Sequence, residues 1–170
     1  MSSSERLSRR RLLGGLALLP LAGCGFEPVY GEGAPAATLR GGIAIGQVEG
    51  QGRAAFFMRE RLERRFGDAA DPAYTLDAAF QFTTSGLAIT QDNDITRFNM
   101  VGTATWRLTP RGTAEAAATG DVEGFTAYSA TASVFATRTA RRDAEKRLAE
   151  DLAERIAIRV AVAAREVAGA

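Results

Sequence analysis

The period of the apolar positions changes repeatedly along this chain, and each change predicts an element. Ile43-Ala44-Ile45-Gly46-Gln47-Val48 is short and β-branched and reads as a first strand. Gly50-Gln51-Gly52 breaks it. Over residues 53–66 the period becomes helical, with Ala55, Met58, Leu62 and Phe66 on one stripe at i+3/i+4 spacing. Glu60 and Arg64 are placed to pair on the wet side, and Gly67 supplies a C-cap. Phe56 and Phe57 lie off the stripe and read either as second-layer core or as contact surface.

The period then drops to two. Tyr74, Leu76, Ala78, Phe80 and Phe82 alternate with Thr75, Asp77, Ala79, Gln81 and Thr83. Phe98, Met100, Gly102, Ala104, Trp106 and Leu108 alternate with Arg97, Asn99, Val101, Thr103, Thr105 and Arg107. A third alternating stretch covers residues 116–123, where Ala116, Ala118, Gly120 and Val122 share one side. Gln91-Asp92-Asn93-Asp94 and Pro110-Arg111-Gly112 supply turn chemistry between these strands. Alternation with one polar face predicts an antiparallel sheet covered on one side only. The open face is then rich in Thr, Asn, Gln and Arg.

From about Ser133 to Val167 one long helix is predicted, with Ala140, Ala144, Leu148, Leu152, Ile156 and Val160 as its i+4 stripe. Asp143 with Arg147 and Asp151 with Arg155 are spaced to pair outside it. Such a helix is about 50 Å long, so part of it projects past the sheet or bends. The order is β-α-β-β-β-α, and the expected fold is an α+β two-layer sandwich. Its four-stranded, mostly antiparallel sheet is covered on one face by two helices. The strand-helix-strand opening allows the first strand to lie parallel to a neighbour.

The first forty residues follow a different logic. A basic cluster, Arg9-Arg10-Arg11, precedes the apolar run of residues 12–21 and the small residues of Leu21-Ala22-Gly23-Cys24. Basic, apolar and small in that order is an export leader. The apolar run is too short to span a bilayer, which takes about 20 residues. Ser8-Arg9-Arg10-Arg11-Leu12-Leu13 also bears some likeness to a twin-arginine signal, so the export route stays open. A cysteine placed just after the cut resembles the bacterial lipoprotein signal, in which that cysteine becomes the acylated first residue. On this reading residues 1–23 are a lipoprotein signal peptide and Cys24 is the lipidation site. The Gly-, Pro- and Ala-rich residues 24–42 form a tether, and residues 43–170 form one domain.

Composition narrows the chemistry. The leader holds four arginines and one acid, so the 21 basic and 20 acidic side chains of the chain fall to 17 and 19, a net charge of about −2. Nucleic-acid binders normally carry a basic excess, so no nucleic-acid partner is expected. The chain has no histidine, which removes the commonest general base and nitrogen ligand. Cys24 is the single cysteine, so no disulfide forms within the chain. Asp92-Asn93-Asp94 lacks the twelve-residue frame of a calcium loop and reads as a solvated turn. No metal, no cofactor and no catalytic constellation is expected. Arg97 and Arg107 share strand parity with Asn99, Thr103 and Thr105, and Arg111 sits in the next turn. Guanidinium forks suit phosphate, so these three are candidate contacts for an anionic head group. The competing reading is that they keep an open sheet soluble.

Two segments carry a family resemblance. Leu21-Ala22-Gly23-Cys24-Gly25-Phe26-Glu27-Pro28-Val29-Tyr30-Gly31 resembles the opening of the lipopolysaccharide-assembly lipoprotein family LptE. There the lipidated cysteine is followed by Gly-Phe, then Pro, then Tyr-Gly. Ala136-Thr137-Arg138-Thr139-Ala140-Arg141-Arg142-Asp143-Ala144-Glu145 resembles the start of that family's last helix, and the element order agrees. The resemblance implies a non-enzymatic lipoprotein on the periplasmic face of the outer membrane. It would plug an LptD-type β-barrel, help that barrel assemble and take part in lipopolysaccharide transport. It also implies lipopolysaccharide as a partner, without fixing which residues touch it. Another class stays open: a lipid-anchored auxiliary of a different periplasmic lipid-transport or secretion system. An envelope hydrolase is a third, against which the missing histidine and nucleophile motif both count.

Overall fold

Strand β1 (Ile43–Glu49) leads through a tight bend into helix α1 (Ala54–Phe66). This computed structural model describes residues 42–67, 70–89 and 95–168. The leader, Cys24, the tether and the 91–94 turn lie outside the described residues. Helix α1 starts on backbone bonds rather than a side-chain cap, with the Ala54 N–H donating to Gln51 O at 3.3 Å. It stops at Gly67, whose φ of 84° favours glycine and whose N–H donates to Glu63 O at 2.8 Å. Ala54, Met58, Leu62 and Phe66 are its buried stripe. Ala55 is only half-buried, and Ala54 takes its place in the core.

Three long strands follow: β2 (Tyr74–Ile89), β3 (Ile95–Pro110) and β4 (Ala118–Ser129). The sheet order is β1-β2-β3-β4. β1 runs parallel to β2, which requires a crossover, and α1 is that crossover. The other two pairings are antiparallel. All three strands run further than their alternation predicts, β3 reaching Ile95 and Pro110. β2 continues through Ser85 and Gly86, residues of poor strand propensity, because Asn99 and Phe98 of β3 stand opposite them and the ladder carries on. β4 begins at Ala118 rather than 116 and ends at Ser129 rather than 123, through Gly124 and a Phe125 whose apolar ring lies on the polar side.

Helix α2 (Val134–Ala168) closes the domain. Its first turn is capped by Ser133, whose Oγ accepts the Ala136 N–H at 3.3 Å. At 35 residues it is about 52 Å long. Full burial starts only at Ala144 and continues through Leu148, Leu152, Ile156 and Val160. The turns before Ala144 are largely exposed, and of the predicted stripe Ala140 is only half-buried against the core. No helix among the described residues is long and apolar enough to cross a membrane.

One feature of the sheet decides where α2 lies. Gly102 of β3 stands directly opposite Gly124 of β4. A Cβ on Gly102 would fall 3.0 Å from Leu148 Cδ2 and 3.0 Å from Leu152 Cδ1, and one on Gly124 would meet Leu148 Cδ1 at 3.2 Å. The bare backbone of this glycine pair is the seat into which the two leucines pack. Helix α1 is tied to α2 by Arg61 Nε, which donates to Glu154 Oε1 at 2.6 Å. The surface pairs expected from spacing are all present: Glu60–Arg64, Asp143–Arg147 and Asp151–Arg155.

Candidate functional site

The strand period of two sorts the sheet into unlike faces. Met100, Ala104, Trp106 and Leu108 of β3 lie buried beneath the helices, while Thr103, Thr105 and Arg107 are exposed on the other side. Cross-strand pairing adds neighbours of the same parity. Asp77 is opposite Arg107, Asp121 opposite Thr105, and Gln81 and Glu123 flank Thr103. The result is an uncovered surface of hydroxyls, amides and charges, interrupted by Val101 and the exposed ring of Phe125.

A shallow depression of about 650 Å³ lies on this face near the β1 end, lined by Gln47, Glu49, Asp77, Arg107 and Asp121 among others. Its rim is held by hydrogen bonds. The Gln47 N–H donates to Asp77 Oδ1 at 2.6 Å, and Gln47 Nε2 donates to Glu49 Oε1 at 2.7 Å. Three carboxylates surround one guanidinium there, so the local field is not that of a ready anion pocket.

The three arginines singled out from the sequence are not gathered into one cluster. Arg107 faces Asp77 across the ladder. Arg111 pairs with Asp71 at the turn after β3. Arg97 lies ten residues from Arg107 along the same strand, roughly 33 Å at the rise of a strand. Among the described residues Arg97 has no carboxylate partner. Cys24 lies outside the described residues.

Sequence reasoning missed a second place, at the other end of the strands. There Phe98 of β3 and Tyr128 of β4 stack with centroids 5.2 Å apart and planes 14° from parallel. The stack lines a recess of about 380 Å³ together with the first turns of α2, through Val134, Thr137, Arg138 and Arg141. Arg141 Nε donates to Glu145 Oε1 at 2.9 Å, and Arg138 has no carboxylate partner among the described residues. Phe135 next to it is 82% exposed. Aromatic surface beside guanidinium groups suits a ligand with both acyl and anionic parts. The signal was present in the Arg138, Arg141, Arg142 spacing ahead of the first buried stripe residue, but nothing in one dimension brings β3 and β4 to that helix.

The described residues contain no group of three or more carboxylates placed to hold a metal ion.

Comparison with known proteins adds an independent line. The family model described as LptE, Lipopolysaccharide-assembly, matches residues 42–160, well over half of the chain. Among solved structures, a candidate lipoprotein from Caulobacter crescentus CB15 is similar with a TM-score of 0.58 at 19% identity, covering 79% of this chain and 97% of that one. Rare lipoprotein B from Shewanella oneidensis is similar with a TM-score of 0.53 at 16% identity, covering 71% of this chain and 93% of that one. At such identities these structures support the fold. No curated protein matches the chain by sequence.

Proposed function

This chain belongs to the lipopolysaccharide-assembly family LptE, and on that premise we propose that it is a lipid-anchored, non-catalytic subunit of the outer membrane. It is held by acyl chains on Cys24 at the periplasmic face and seats its domain in the lumen of an LptD-type β-barrel. In that place it supports barrel assembly and the passage of lipopolysaccharide to the cell surface. The observation that carries this reading is the contrast between the two faces of the sheet. One is sealed by α1 and α2, and the other is a broad polar surface with no covering element among the described residues. The lumen of a large barrel is polar, and a polar face can lie against it. Several acyl chains suit the anchor, since one chain alone binds a membrane only marginally.

Direct contact with lipopolysaccharide through Arg97, Arg107 and Arg111 belongs to the same proposal. Arg97 ranks first because it has no carboxylate partner among the described residues, whereas Arg107 and Arg111 face Asp77 and Asp71. Extraction of membranes in mild detergent tests the main claim. The mature protein is expected to leave the membrane bound to a large outer-membrane barrel. Recovery as a free monomer, or with components of a periplasmic transporter in place of a barrel, would refute it.

A further inference from the structure

The two edges of the sheet are treated differently. β1 is short, its register with β2 is interrupted between Ile45 and Val48, and two of its carbonyls are taken by a side chain. Arg59 of α1 reaches over this edge, donating from Nη1 to Ile45 O at 3.2 Å and from Nη2 to Gly46 O. These are the usual devices that close an edge to further strands.

β4 lacks them. The Ala130 N–H donates to Thr96 O at 2.9 Å. In an antiparallel ladder the residues that exchange bonds alternate along the strand. By that alternation the even-numbered residues of β4 turn their backbone groups toward β3, and the odd-numbered ones turn them outward. The outward direction of the odd set is visible at Ala127, whose carbonyl accepts Arg147 Nη2 from α2 at 3.3 Å. Over residues 119–125 the outward N–H and C=O groups of Thr119, Asp121, Glu123 and Phe125 meet no partner among the described residues, and all four residues are exposed. The stretch contains no proline and no lysine.

We propose that the β4 edge over residues 119–125 is a strand-addition site, and that its occupant is an extended protein segment bearing arginine or lysine. Main-chain bonds would supply the attachment and alternate side chains the selection. The selection is acidic: Asp121 and Glu123 both stand on the uncovered side of this edge. The same two residues count against a second copy of this chain as the occupant. Antiparallel self-pairing centred on Val122 sets Asp121 of one copy against Glu123 of the other, and like charges directly opposite destabilise a pair. A basic strand meets neither obstacle. This inference does not depend on the barrel reading.

The probe is a peptide of about ten residues alternating valine and arginine, with a valine–glutamate peptide as its control. Amide hydrogen exchange is followed by NMR on the full chain in detergent micelles. Addition of a strand is expected to slow exchange at Asp121, Glu123 and Phe125 by about tenfold or more, with Val122 and Gly124 changed far less, since the latter are already bonded to β3. The Thr119→Pro/Phe125→Pro variant removes two outward donors while keeping both acids. Proline is tolerated on the open side of an edge strand. This variant is expected to bind the valine–arginine peptide about tenfold or more weakly, as loss of two hydrogen bonds implies. Unchanged binding by that variant would reduce the effect to charge attraction and overturn strand addition. Should the variant not fold, the alternating exchange pattern on the unsubstituted chain decides alone: its absence overturns the proposal. Equal protection by the valine–glutamate peptide overturns the basic occupant.

Discussion

Replacing Leu152 with alanine tests whether the glycine pair truly seats α2. Leu152 is fully buried, and its Cδ1 lies where a Cβ on Gly102 would be only 3.0 Å away. Truncating a buried leucine costs roughly 2–5 kcal/mol, more where the surroundings cannot collapse into the void. Below Leu152 lies the bare backbone of Gly102 and Gly124, which cannot move in, and the neighbouring Leu148 and Phe82 side chains are already packed against Gly102. The cost should therefore fall in the upper half of that range, about 4 kcal/mol. Gly102→Ala has two opposing effects. Alanine in a strand gains roughly 0.5–1 kcal/mol over glycine, while crowding Leu148, Leu152 and Phe82 at 3.0 Å each costs about 1–3 kcal/mol. The single substitution should be destabilising by about 1 kcal/mol on balance. In the double variant the new methyl enters the space that Leu152 vacated, so the two changes should couple favourably by about 1 kcal/mol or more. Urea unfolding of all four proteins, with the slope unchanged, measures the cycle. A Leu152→Ala cost below about 2 kcal/mol, or additivity within about 0.5 kcal/mol, would refute the packing argument.

Further outcomes follow from the same structure. Glu154→Ala should cost about 1 kcal/mol, because Glu154 joins the two helices through Arg61 and is only 30% exposed; Asp143→Ala, whose pair with Arg147 lies on the outer surface of α2, should cost no more than about 0.5 kcal/mol in the same assay. Arg97→Ala combined with Arg107→Ala should weaken binding to lipopolysaccharide aggregates while circular dichroism stays native; unaltered binding would dismiss the open face as a head-group site. Cys24→Ser should release the exported protein from the membrane fraction, and mass spectrometry of the unsubstituted protein should find acyl chains on that residue; an unmodified thiol would contradict the anchor.

Much of this fold is legible in one dimension because periodicity reports a covered face directly. The parity of β2 and β3 is right residue by residue, and the α2 stripe from Ala144 to Val160 is buried throughout. The strand-helix-strand opening allowed a parallel β1 but left its pairing open, which the ladder with β2 settles. Strand ends were less legible. Ser85, Gly86 and Gly124 carry weak propensity, and only pairing with β3 keeps them extended. Phe57 packs against the core with Lys146 Nζ 5.2 Å from its ring centroid, whereas Phe56 is 62% exposed; adjacent identical residues gave no means to tell them apart. The candidate site was harder still. Shared parity put Arg97 and Arg107 on one face, but distance along a strand and the acidic partner of Arg107 emerge only when β2 is laid beside β3. The recess between Phe98, Tyr128 and the start of α2 depends on three elements meeting at one end, which no local pattern encodes.

The central claim is that the uncovered sheet face lies against the inner wall of a barrel. Its most direct test is photo-crosslinking in intact cells from probes at Thr103 and Thr105, both exposed at the middle of that face. The account predicts an adduct with an outer-membrane β-barrel from both positions and none from a probe at the buried Ala104. Efficient crosslinking only to periplasmic proteins, or none at all from a protein that fractionates with the outer membrane, would contradict it.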